Sequence, residues 1–130
     1  MIEAQANPTP SKAVNITLWV FQVLVAGMFI MASYAKLSGQ AQMVQEFQVI
    51  GLGQWFRYVT GAIELGSAVL LFTPAYVGVG ALLLACTMIG AVIAHVAVLG
   101  GNPAPAIVLL VLSGVIAWGR KERTFALLKN

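Results

Sequence analysis

Two titratable residues stand inside stretches that are otherwise almost wholly apolar. Glu64 lies near the middle of RYVTGAIELGSAVLLF, residues 57–72, and His95 lies late in the next apolar run, residues 76–99. A carboxylate and an imidazole in a low-dielectric pocket take up and release protons near neutral pH. Four further groups can join them. Arg57 precedes Glu64 by seven residues, or two helical turns, so both share a face, and Thr60 falls between them on that face. Lys36 closes the first apolar run, with Tyr34 just inside it.

A carboxylate at the centre of a bilayer costs about 2.5–3.5 kcal/mol on insertion scales. Glu64 therefore needs a partner or a task. Lys36, Arg57 and His95 are the groups that can be positive around it; Arg57 shares its helix, where a side chain leans toward the N-terminus and Thr60 or a water can bridge the ~10 Å axial offset. Each group also has a structural reading. Lys36 and Arg57 suit interfacial anchors, His95 a hydrogen bond between helices, and Glu64 a plain interhelical ion pair. Buried pairs are weak stabilisers, which argues against the last.

What is missing narrows the chemistry. One His and one mid-span Glu make no typical metal site. The single cysteine, Cys86, lies in an apolar run with no C-x-x-C, so it reads as a small buried hydrophobe. There is no P-loop, no dinucleotide fingerprint and no nucleophile triad. A conventional hydrolase or transferase is not expected, and no covalently held cofactor is implied. Proton-coupled binding of a small, partly apolar molecule fits best. A quinone is the obvious example, because its oxygens need hydrogen-bond partners and its ring needs apolar walls.

The elements that must carry these groups follow from composition and punctuation. Apolar residues make up 60% of the 130, and charged residues 8%, against about 25% charged in soluble domains. The chain reads as an all-α, antiparallel bundle of four transmembrane helices. Residues 1–13 read as a mobile tail, 14–119 as the membrane domain and 120–130 as a basic cytoplasmic tail. The first span covers Ile16 to Ala35, longer than a signal-peptide core of about 7–15 residues. The second runs from Trp55 to Thr73, the third from Tyr76 to Leu99 and the fourth from Pro103 to Trp118, with Asn102 as its cap. Met43, Phe47 and Ile50 recur at helical spacing, which predicts a short interfacial helix ended by GLG.

Four spans put both termini on one side. That side holds Lys12, Arg120, Lys121, Arg123 and Lys129, and the other holds Lys36 and Arg57, so both termini are expected in the cytoplasm. The net charge of +3 is thus a topology signal, and no nucleic-acid partner is expected. The polar cluster then lies in the outer half, with no counterpart on the cytoplasmic half. Gly61 and Ala68 on the second span, and Gly90, Ala91 and Ala94 on the third, suggest close packing that turns Glu64 and His95 inward.

Taken in order, SYAKLSG at the end of the first span, EFQVIGLG in the loop, GAIELGSAVLLF in the second span and a late histidine in the third resemble the DoxX-like family. The Lys36-to-Gly39 step and Glu64 are the most specific matches, and His95 is a less specific one. Asn102 stands where some relatives carry an acidic or amide group. The resemblance implies a small four-helix membrane fold in a bacterial inner membrane, contact with lipid, and a link to redox chemistry. The family takes its name from a quinol oxidase subunit, and animal relatives look like assembly helpers.

Two functions follow. In the first, the protein is a redox-linked membrane subunit that binds a quinone near Glu64 and His95, with electrons supplied by a membrane partner. In the second, it is a non-catalytic assembly or partner-binding protein, alone or as a homo-oligomer. The segment Gln40 to Gln54 discriminates between them. As a lid on the Glu64–His95 pocket it favours a ligand; standing away with Met43, Phe47 and Ile50 outward, it favours docking.

Overall fold

A computed structural model describes residues 10–129. All regular structure among them is helical: α1 Lys12–Leu37, α2 Ala41–Ile50, α3 Gln54–Leu70, α4 Val77–Ala94, α5 Ala104–Gly119 and α6 Lys121–Leu128. The expected tail over residues 1–13 lies, for its first nine residues, outside the described residues. Helix α1 starts earlier than Ile16 because the Ser11 hydroxyl accepts from the Val14 amide at 3.2 Å, satisfying an orphan donor of the first turn.

α1 packs on α3, α3 on α4, α4 on α5, and α5 closes back on α1. The core between them holds Val25, Ala26 and Phe29 of α1, Ala68 of α3, Ala81, Leu84 and Met88 of α4, and Ile116 of α5. Outward faces are equally apolar, with Leu24 and Met31 on α1, Ile93 and Val96 beyond the core of α4, and Val108 and Val111 on α5. A helix that is apolar all round needs an apolar surrounding. Two helices are long and apolar enough to cross a membrane, α1 and Val77–Leu99. A third qualifies if α5 and α6, bent by 60°, count as one. α3, with 17 residues, is about 26 Å long, short of a ~30 Å hydrocarbon core.

The expected spans shift at their ends for local reasons. The second starts at Gln54 and its helix ends at Leu70, with single turns carrying the chain to Thr73. The third continues past Ala94 as a wider turn, His95–Leu99, closed by the Gly100 amide on the His95 carbonyl at 2.9 Å. The Asn102 side chain accepts from the Ala104 amide at 3.0 Å, but Pro103 stands at the cap position of α5, so Asn102 lies one residue before the cap it was expected to make. The basic tail is not a plain extension: Lys121–Leu128 forms its own helix, packed against α4.

The small residues do not pack as the sequence suggested. Gly61 faces the end of α1, where an added Cβ would lie 3.0 Å from Leu37 and 3.2 Å from Lys36. The close approach of α3 and α4 lies elsewhere, at Gly80, where a Cβ would sit 2.7 Å from the Ser67 carbonyl oxygen. Gly90 meets nothing within 4 Å. The missing side chain there leaves open space in place of a helix contact.

Candidate functional site

That open space belongs to a cavity of about 330 Å³ between α2, α3, α4 and the wide turn. Lys36, Thr60, Glu64 and His95 all stand on its wall. Glu64 is 1% exposed, and its Oε1 lies 3.0 Å from the Lys36 ammonium. Of the cations expected around Glu64, Lys36 is the one that pairs with it. Lys36 reaches Glu64 from α1, and neither Arg57 nor Thr60 bridges to it. Thr60 donates to the Phe56 carbonyl at 2.8 Å, one turn back on its own helix.

Arg57 is 5% exposed and stands behind the wall. Its Nε donates to Gln54 Oε1 at 2.7 Å, its Nη1 donates to the Lys36 carbonyl, and its guanidinium lies 4.3 Å from the Tyr58 ring centre. The Lys36-to-Gly39 step explains why that carbonyl is available. Gly39 has φ +74°, the Gln40 amide bonds the Ala35 carbonyl at 3.1 Å, and Gly39 bonds that of Lys36 at 3.4 Å. This paired closure of a helix end requires a left-handed residue, which glycine adopts without strain. Arg57 then places a positive charge on the negative end of α1. It fixes the backbone from which Lys36 reaches the cavity, a role sequence reasoning did not assign. Tyr34 is 67% exposed and points away from the cavity.

His95 is half-buried, and its Nδ1 lies 2.9 Å from the Ala91 carbonyl. A carbonyl only accepts, so Nδ1 carries the proton and Nε2 of the neutral ring is left as an acceptor. Wide turns of this kind recur at functional sites. The remaining walls are apolar: Phe56 and Ile63 of α3, Met88 and Ala91 of α4, and Phe47 and Ile50 of α2. Phe47 is buried, its ring centre 5.8 Å from that of Phe56 and tilted by 57° to it, and Gln54 donates to the Val44 carbonyl at 3.0 Å. α2 therefore covers the cavity, and Glu46 on the same helix also reaches its wall. The sequence reading passed over Glu46 and Thr87 as wall residues, and only Glu46 carried a signal, as an acid beside the Phe47 position; Cys86, expected as a small buried hydrophobe, is instead exposed and lines the same cavity, because α4 turns that face away from the core.

The other end of the bundle corrects a second expectation. A polar cluster does exist there. Arg120 is 1% exposed; its Nε donates to Gln22 Oε1 at 2.8 Å and its Nη1 to Asn15 Oδ1 at 2.9 Å. Gln22 in turn donates to the Leu71 carbonyl at 2.8 Å, one of the orphan acceptors at the end of α3. The sequence hid this network because Arg120 looked like one more residue of a basic tail.

Comparison with known proteins adds the decisive observation: the model of the DoxX-like family matches residues 20–119. The chain belongs to the DoxX-like family. It is also 32% identical over 83 residues to the "Putative oxidoreductase CatD" of Bacillus subtilis (strain 168), a stretch that is 64% of this chain and 62% of that protein. The chain thus spans about three-fifths of that relative's length. No solved structure gives a significant match. The matched region contains α2, α3 and α4 whole, and with them every wall of the cavity. Membership and the outward apolar helices together place this DoxX-like chain in contact with a lipid bilayer.

Proposed function

We propose that the protein is a redox-linked membrane subunit that binds a quinone or similar small apolar molecule in the α2-covered cavity. One observation carries the reading: a buried ion pair, Lys36–Glu64, forms part of the wall of an open cavity. A pair that served only to join helices would be expected within packed side chains. The volume of about 330 Å³ is within the range of small-ligand sites. An ammonium has three donors, and Lys36 is paired with Glu64 at 3.0 Å on the cavity wall. A ligand carbonyl would accept from one of those donors, a ligand hydroxyl would donate to His95 Nε2, and the ring would lie against Phe56, Ile63 and Met88. The inward face of Phe47 and Ile50 supports the ligand reading over partner docking by that segment. The distant oxidoreductase relative supports a redox link, with electrons supplied by a membrane partner.

All four long helices are read as spans, with both termini in the cytoplasm of a bacterial cell and α2 in the outer interface. α3 and α5 are short for a span, and the Gly80–Ser67 approach lets α3 shelter against the longer α4. The basic residues at one end support the orientation.

The test is thermal unfolding of the detergent-purified chain against short-tailed benzoquinones and naphthoquinones. A ligand of the native fold raises the midpoint by mass action. A concentration-dependent rise in the wild type that is lost in Glu64→Gln supports the reading. No rise with any quinone, from a protein that melts cooperatively, sinks it.

A further inference from the structure

The end of the bundle opposite the Glu64 cavity has a second concavity. A groove of about 350 Å³ runs between α4, α5 and α6, walled by Leu82, Ala85, Ala117 and Phe125. The 60° bend between α5 and α6 puts Lys121 at the elbow, on the groove, with its Nζ 3.6 Å from the centre of the Trp118 ring. Trp118 is 72% exposed and lines the same groove. Thr124 lines it too, and its hydroxyl is shut off from solvent without a hydrogen-bond partner among the described residues. Around the elbow stand Arg123 and, at the end of α6, Lys129, with Glu122 as the one acid of that helix. Arg123 is tied to the Pro74 carbonyl at 3.0 Å, which leaves Lys121 as the cation at the groove itself.

We propose that this groove is a binding site for an anionic phospholipid, with one acyl chain along α4 and α5 and the phosphate on Lys121. The walls match the start of the chain: they are apolar, formed by one turn each of α4 and α5 with Phe125 of α6, and Leu82 and Phe125 are exposed on the outside of the bundle. The elbow matches the headgroup. An ammonium on an indole face keeps donors for a phosphate, and tryptophan and lysine together are the groups that settle at headgroup depth. Charge complementarity selects an anionic lipid over a zwitterionic one. One such ammonium is worth about fivefold in affinity near a membrane surface. The site shares no residue with the quinone cavity and does not depend on that reading.

The experiment titrates the delipidated full chain in detergent with dioleoyl phosphatidylglycerol or dioleoyl phosphatidylcholine and follows the unfolding midpoint. The anionic lipid is expected to reach half-effect at about fivefold lower concentration. Lys121→Gln brings the two lipids level. Gly114→Leu weakens both, because Gly114 lines the groove and a Cβ there meets nothing within 4 Å. Ala85→Leu, on the opposite wall, does the same and serves if Gly114→Leu does not fold. Glycerol phosphate, a headgroup without chains, has no effect. Equal titrations of the two lipids in the wild type overturn the proposal, as does an anionic preference that survives Lys121→Gln. Groove-filling variants that bind both lipids normally, with a loss of oligomer mass instead, mean that a second copy of the chain covers the groove.

Discussion

Lys36 and Glu64 meet at 3.0 Å across the gap between α1 and α3, one at a helix end and the other at mid-helix. The relationship is asymmetric. The carboxylate is 1% exposed and the lysine side chain 14%, so the acid is desolvated and its partner keeps an opening toward the cavity. Removing the lysine leaves a buried charge unmatched, which costs about 3–5 kcal/mol, whereas removing the acid leaves an ammonium that still opens onto the cavity. Lys36→Met is expected to destabilise by roughly that much and Glu64→Gln by less, and the double variant by less than their sum. Denaturant unfolding of the four proteins in detergent measures the coupling. Additive losses would mean that the pair contributes nothing as a pair.

Gly90 offers a way to close the cavity without touching the ion pair. It lies on the cavity wall, and a Cβ there meets nothing within 4 Å. Gly90→Ala is expected to stabilise the protein by about 0.5–1 kcal/mol through helix propensity. Gly90→Leu is expected to fold and to lose the quinone-dependent rise in melting temperature. A Gly90→Leu protein that still responds to quinone would move the binding site elsewhere.

Gly39 and Arg57 set the position of Lys36. Alanine at Gly39 must adopt φ +74°, at roughly 1–2 kcal/mol. Arg57→Lys loses the fork that serves Gln54 and the Lys36 carbonyl together. Both variants are expected to weaken quinone binding while Glu64 is still present. Their effect should vanish in the Lys36→Met background, since they act through Lys36. Losses of the same size in that background would make Gly39 and Arg57 purely structural.

At the opposite end, Gln22 joins a buried guanidinium to the end of α3. Gln22→Leu removes the acceptor of Arg120 Nε and the donor to Leu71. The expected loss is about 3 kcal/mol. Arg120→Met added to Gln22→Leu should recover much of it, because no buried charge then lacks its partner. Thermal unfolding of the single and double variants checks the sign, and a double variant worse than Gln22→Leu contradicts it.

Much of the architecture was legible because its causes are local. Apolar runs and the glycines at 39, 51 and 100 mark helices and their ends within a few residues. The unusual placement of Glu64 was also plain, since a carboxylate among apolar neighbours carries its cost wherever it packs. Its partner was legible only as a choice among Lys36, Arg57 and His95. Arg57 is two turns away along one helix, whereas Lys36 is 28 residues back; the choice rests on how the end of α1 meets α3. Arg57 was captured instead by a carbonyl that exists as an acceptor only because α1 ends there.

By itself, the sequence determined that the chain is helical and apolar, that Glu64 needs an answering group, and that the Lys36-to-Gly39 step ends a helix. Tertiary structure alone decided which cation answers Glu64, that Gly90 borders open space while Gly80 carries the helix contact, and that Arg120 turns inward. The reason is physical. Helix formation and helix ends are set by neighbours a turn away, whereas ion pairs and cavities are set by where separate helices stop and how closely they approach.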